Sequence, residues 1–185
     1  MESLRNYGAT LCGYFGSTRD ALYERQRLLI RGGMLELEGR GRGGGSKATP
    51  RNVALLVISQ MATDTLAGSE ANIRATAAAK RTGGISSLLP GVATFLDGLE
   101  MVLSSVSLAE KTGEAVISRT SPHPRLMFNG PLASLGNGVK CNIPKGLSTL
   151  EFSLSKNLPP SYRVEARLET ERLVAIARDL EGMAE

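Results

Sequence analysis

A chain of 185 residues can fold as one medium domain or two small ones, and either is long enough to bury a core. Hydrophobic residues make up 42% and charged residues 22%, with no Trp, which fits a globular chain with aliphatic packing and excludes a disordered or fibrous one. The net charge of +4 is unevenly placed: residues 1–60 carry nine Lys or Arg against five Asp or Glu, and the remainder is balanced.

No apolar run approaches the roughly 20 residues of a membrane span, and Met1–Arg5 lacks the basic-then-apolar order of a secretion signal, so a cytoplasmic location is expected. Cys12 and Cys141 are far apart and neither lies in a CxxC, so two buried thiols are expected rather than a zinc site or a disulfide. A basic first third on a neutral remainder suggests a nucleic-acid-binding head on a domain with another task.

In chain order, Leu4, Tyr7, Leu11 and Tyr14 or Phe15 recur at helical spacing and predict a first helix ending near Gly16. Ser17 is the expected N-cap of a second helix, with Asp20 completing a capping box, and that helix runs to about Arg31. Its apolar stripe is read as Ala21, Leu22, Leu28 and Leu29, with Arg19, Tyr23, Gln26 and Arg27 largely on the other side. Gly32-Gly33 ends the helix, and the alternation over Met34–Glu38 predicts a short half-buried strand. Gly39-Arg-Gly-Arg-Gly-Gly-Gly45 follows, a flexible loop whose Arg40 and Arg42 suit a phosphate backbone. Thr49 then caps a third helix with Pro50 in its first turn and Val53, Leu56, Val57 and Met61 on one face.

Residues 68–91 read as a weak helix and a loop joining two parts. Thr94 with Asp97 caps a helix that turns Phe95, Leu99, Val102 and Leu103 inward. The period then becomes alternating, with strands expected at 115–119, 125–128, 139–143, 150–154 and 162–168. A last helix from Thr170 uses Leu173, Ile176, Ala177 and Leu180. The expected fold class is α+β: a winged helix-turn-helix-like domain over residues 1–67, a connector over 68–91, and an antiparallel sheet covered by helices over 92–185.

Gly39, Gly41 and Gly44 satisfy GxGxxG, but Gly45–Ala48 separate the last of them from the helix cap and no βαβ pattern follows. No Gly-Lys-Ser/Thr triplet occurs, so a Walker loop is excluded and no cofactor is expected. His123 is flanked by prolines with no nucleophile motif for it to activate. Glu165, Glu169 and Glu171 alternate with Arg163, Arg167 and Arg172, the pattern of a solvated surface, so no enzyme activity is expected.

The runs Leu28–Leu35, Gly39–Gly45 and Thr49–Leu56 resemble small proteins encoded by prophages and temperate phages. Those proteins have a winged helix-turn-helix with a Leu-Arg-x-x-Gly-Leu helix end, a Gly-Arg-Gly wing and a Thr-Pro helix start. The likeness spans roughly residues 15–60. Two features depart from the pattern: one helix precedes the reader where two are usual, and Gly33 replaces an alanine–glycine turn.

The resemblance implies a phage-related regulator in the bacterial host cytoplasm. Duplex DNA and a second copy of the chain are the expected partners. Arg19, Tyr23, Gln26 and Arg27 would enter a groove, Arg40, Arg42 and Lys47 would hold phosphates, and Arg25, Arg31 and Arg51 extend the basic patch. The other expectation is an interaction protein that binds and inhibits a host or defence complex with the same surface.

Overall fold

The computed structural model describes residues 2–37, 45–67, 69–81, 89–119, 124–128 and 165–184, and the backbone of 148–153. In chain order these form α1 (Leu4–Phe15), α2 (Arg19–Arg31), α3 (Pro50–Ala62), α4 (Ser69–Ala77), β1 (Lys80–Arg81), α5 (Phe95–Leu103) and α6 (Val106–Lys111). Strands β2 (Thr112–Ser118), β3 (Arg125–Phe128), β4 (Ser148–Ser153) and β5 (Glu165–Glu169) precede α7 (Thr170–Gly182). The class is α+β, with an antiparallel sheet of order β1-β4-β3-β2-β5.

Local chemistry sets the helix ends. Ser3 caps α1 by accepting from the Asn6 N–H, and Gly16 stops it in the left-handed region at φ 60°, which glycine adopts without strain. The Ser17 N–H closes that stop on the Cys12 carbonyl, so Ser17 belongs to the end of α1. Thr18 caps α2 instead, accepting from the Ala21 N–H, which corrects the expected Ser17 cap. Thr49 and Pro50 open α3, and Thr94 and Asp97 form a reciprocal capping box on α5.

The strand expected over Met34–Glu38 is not formed where the chain is described. Gly33 at φ 65° turns the backbone, and the Met34 and Leu35 N–H groups both donate to the Leu29 carbonyl. Amides used to close a helix cannot serve a sheet ladder, so Met34–Leu37 is an irregular turn that buries Leu35.

Helix α3 is the centre of the molecule. Every residue from Val53 to Ser59 is buried, with Met61 and Ala62, a helix covered all round rather than on the single face expected. It packs against α1, α2, α4, α5 and strands β2 and β5. On the sheet, Ala115 pairs with Leu126 on one side and Leu168 on the other, and all three side chains are buried against the helices. The buried side chains make one cluster running from Leu4 to Leu180. The boundaries expected near residues 67 and 91 therefore do not separate two cores, and Ile73, Ala77, Ala79 and Leu89 of the expected connector lie inside it.

Strand β3 spans the expected residues, and β2, β4 and β5 begin within three residues of theirs. Helix α6, capped by Ser105, was not expected, because six residues are too few to show a period. The expected strand over 139–143, His123, Arg163 and Cys141 lie outside the described residues. Cys12 is half-buried, and its thiol donates to the Gly8 carbonyl one turn back. Among the described residues no helix is long and apolar enough to cross a membrane.

Candidate nucleic-acid interface

The outer side of α1 and α2 collects four of the residues that the sequence singles out, Arg19, Tyr23, Arg27 and Arg31. Leu4, Tyr7 and Leu11 anchor α1, and Leu22 and Leu29 anchor α2, so the two helices cross over α3 with their polar arcs outward. Arg19 stands exposed in the first turn of α2 and Arg31 in its last. Arg27 is also exposed and makes a 2.8 Å ion pair with Glu24, which raises its pKa through that hydrogen bond.

Tyr23 is half-buried, and the Arg5 guanidinium lies over its ring, 4.7 Å from the centroid. Arg5 was missed as a contact residue because nothing in the sequence marks which residue of α1 meets α2. The contact brings Arg5, Arg19, Tyr23 and Gln26 around one narrow cleft of about 50 Å³, with Asp20 the acid in its lining.

Two expectations for α2 need correction. Gln26 is 5% exposed rather than solvent-facing. It sits about 40° from Leu22 round the helix, at the edge of the buried arc rather than opposite it. Arg25 is also 5% exposed and turns inward, where it donates to the Ser59 and Thr63 carbonyls at the end of α3. Its surroundings, burial first and then the Arg119 charge, lower its pKa. Arg25 is therefore a structural group and leaves the basic patch.

Lys47 is exposed, and its backbone pairs with Ser3, while the Ala48 N–H donates to the Glu2 carbonyl and the Leu4 N–H to that of Ser46. These bonds fix the segment after the glycine-rich run beside the start of α1. Arg40 and Arg42 lie outside the described residues.

Arg51 stands apart from this cleft. It is half-exposed in the first turn of α3 and reaches Glu100 at 2.6 Å and Asp97 at 3.3 Å; the Glu100 hydrogen bond raises its pKa despite partial burial. It borders a second, more open groove of about 320 Å³ with Met34, Leu55, Arg74 and Leu96. Among the described residues no group of three His, Cys, Asp or Glu side chains converges as a metal site would need. No family model, curated protein or solved structure matches the chain.

Proposed function

We propose that the protein is a DNA-binding regulator of a phage or other mobile element, with α2 as the reading helix of a helix-turn-helix-like unit. One observation carries this reading. Arg27, Arg51, Arg74, Arg119, Arg125, Arg167 and Arg178 each have an acidic partner. Arg5, Arg19 and Arg31 have none among the described residues, and all three belong to α1 and α2; of the exposed arginines elsewhere, Arg172 alone on α7 shares that state.

Unpaired guanidinium groups on one face attract phosphates without first breaking internal ion pairs. Arg19 and Arg31 bracket α2, about 18 Å apart along its axis, so the helix can meet more than one phosphate of a duplex. Tyr23 and Arg27 occupy the arc between them. Arg40 and Arg42 add charge within a few residues of Lys47, which the Ser3 pairing holds near Arg5. A homodimer in the host cytoplasm, reading two half-sites, completes the proposal.

A gel shift with random duplex across a salt series tests it. Affinity should fall with a log–log slope of about −0.9 per neutralised phosphate, and replacing Arg5, Arg19 and Arg31 together with Ala should flatten the slope by up to about 3 units. Absence of binding at low salt would overturn the reading and favour a host protein with an acidic surface.

A further inference from the structure

The cleft between α1 and α2 holds a polar side chain with no described protein partner. Gln26 is 95% removed from solvent, yet its carboxamide neither donates to nor accepts from any described protein group. The described side-chain atoms that are both fully buried and without a partner are Gln60 Oε1 and Arg125 Nε, so the Gln26 amide keeps some contact with solvent and stands as an unused donor. A leucine there would extend the stripe of Leu22 and Leu29. Gln26 lines the cleft, which opens to solvent, so a partner entering the cleft mouth can reach this residue.

The charges at that mouth limit what the partner is. Arg5 and Arg19 supply two guanidinium groups against the single carboxylate of Asp20, and Arg19 opens α2, whose first N–H groups favour an anion. Stacking on Tyr23 holds the Arg5 fork in place. The cleft, about 50 Å³, exceeds the roughly 10–15 Å³ that one water requires, so it admits a group larger than a single water. A tetrahedral oxyanion is such a group.

We infer that this cleft is a phosphate subsite, in which the Gln26 amide and the guanidinium groups of Arg5 and Arg19 donate to the oxygens of a single phosphate group. The source is either a backbone phosphodiester of the proposed duplex or a free phosphate or phosphomonoester. Only the first source rests on the DNA reading. Gln26 thus positions the backbone instead of reading a base edge.

The experiment uses the full chain and two probes, inorganic phosphate and a short random duplex, with side-chain amide NMR of Gln26 as the readout. Either probe that enters the cleft should shift the Gln26 amide signals and leave those of Gln60 in place. Gln26→Leu should fold with unchanged or higher stability and bind the probe about tenfold more weakly, the scale of one hydrogen bond to a charged group. Arg5→Ala, an exposed change that gives up only the stacking on Tyr23, provides a second variant and should weaken binding at least as much.

If both probes shift Gln26, the backbone is the source; if phosphate alone does, the subsite stands and the DNA reading falls. Duplex binding with Gln26 unmoved, and with affinity equal in the parent and both variants, overturns the subsite and leaves the DNA reading intact. No shift with either probe at tens of millimolar phosphate also overturns it.

Discussion

Arg25 of α2 donates through Nη1 to the backbone carbonyl of Ser59 in α3, a buried bond between two helices. Its second terminal nitrogen reaches the Thr63 carbonyl at 2.8 Å, and Arg119, just beyond β2, donates from Nε to the Met61 carbonyl at 3.0 Å. The last carbonyls of a helix lack intrahelical donors and carry its negative end, so two guanidinium groups satisfy and neutralise that end together.

Replacing Arg25 with Met should therefore leave two carbonyls unbonded and destabilise the fold by about 2 kcal/mol. Urea unfolding followed by circular dichroism measures this through the midpoint. A loss under about 0.5 kcal/mol would mean that Arg119 or water takes over the cap.

Stability should fall steeply in alkali because of Tyr7. Burial first, then the Asp179 carboxylate 3.4 Å from its hydroxyl, raises the Tyr7 pKa far above the ordinary phenol value. The folded state keeps the proton that the unfolded chain releases, so this contribution is complete below about pH 10 and is lost as pH rises beyond it. Tyr7→Phe should cost roughly 1 kcal/mol at neutral pH and flatten the decline between pH 9 and 11. An equally steep decline in the variant would assign the alkaline limb to Tyr14 and the remaining groups.

The capping box of α5 predicts an acid limb. Burial raises the Asp97 pKa, but the Thr94 hydroxyl and N–H and the Arg51 guanidinium together outweigh it, and the net direction is downward. A depressed carboxylate stabilises the fold above the ordinary value near pH 4 and loses that contribution as pH falls below it. Thr94→Ala should cost about 1 kcal/mol, and Asp97→Asn should flatten the stability profile between pH 2 and 5. Thermal melts across that range provide the check.

Position inside α3 should outweigh residue type. Leu56 is 0% exposed and Leu37 is 56% exposed. Leu56→Ala should cost about 2–5 kcal/mol through lost contacts and a residual cavity, whereas Leu37→Ala should stay within about 0.5 kcal/mol. Equal effects on the denaturation midpoint would contradict the central place of α3.

Arg40 and Arg42 give a prediction that rests on charge and chain position. Their joint replacement by Ala should weaken binding to all duplex sequences alike and flatten the salt slope by up to about 2 units. An unchanged slope in the gel-shift series would make the glycine-rich run a linker only.

Features that depend on neighbours three or four residues away were legible before folding was considered. Thr49-Pro50 and Thr94 with Asp97 mark helix starts, since a hydroxyl or carboxylate can reach free N–H groups only there. The inward faces of α5 and α7 follow from the 3.6-residue period, and the 125–128 strand from its alternation. Packing on α3 settled which side of α2 faces out, because Leu22 and Leu29 leave Arg25 and Gln26 at the rim of the stripe, where either placement suits a long polar side chain. Tertiary context also decided that Met34–Leu37 turns instead of pairing: alternation makes a strand only when a partner strand lies alongside, and here the Leu29 carbonyl takes the amides first. The meeting of Arg5 with Arg19 and Tyr23 was equally hidden, since the crossing of α1 and α2 is set by how both pack on α3.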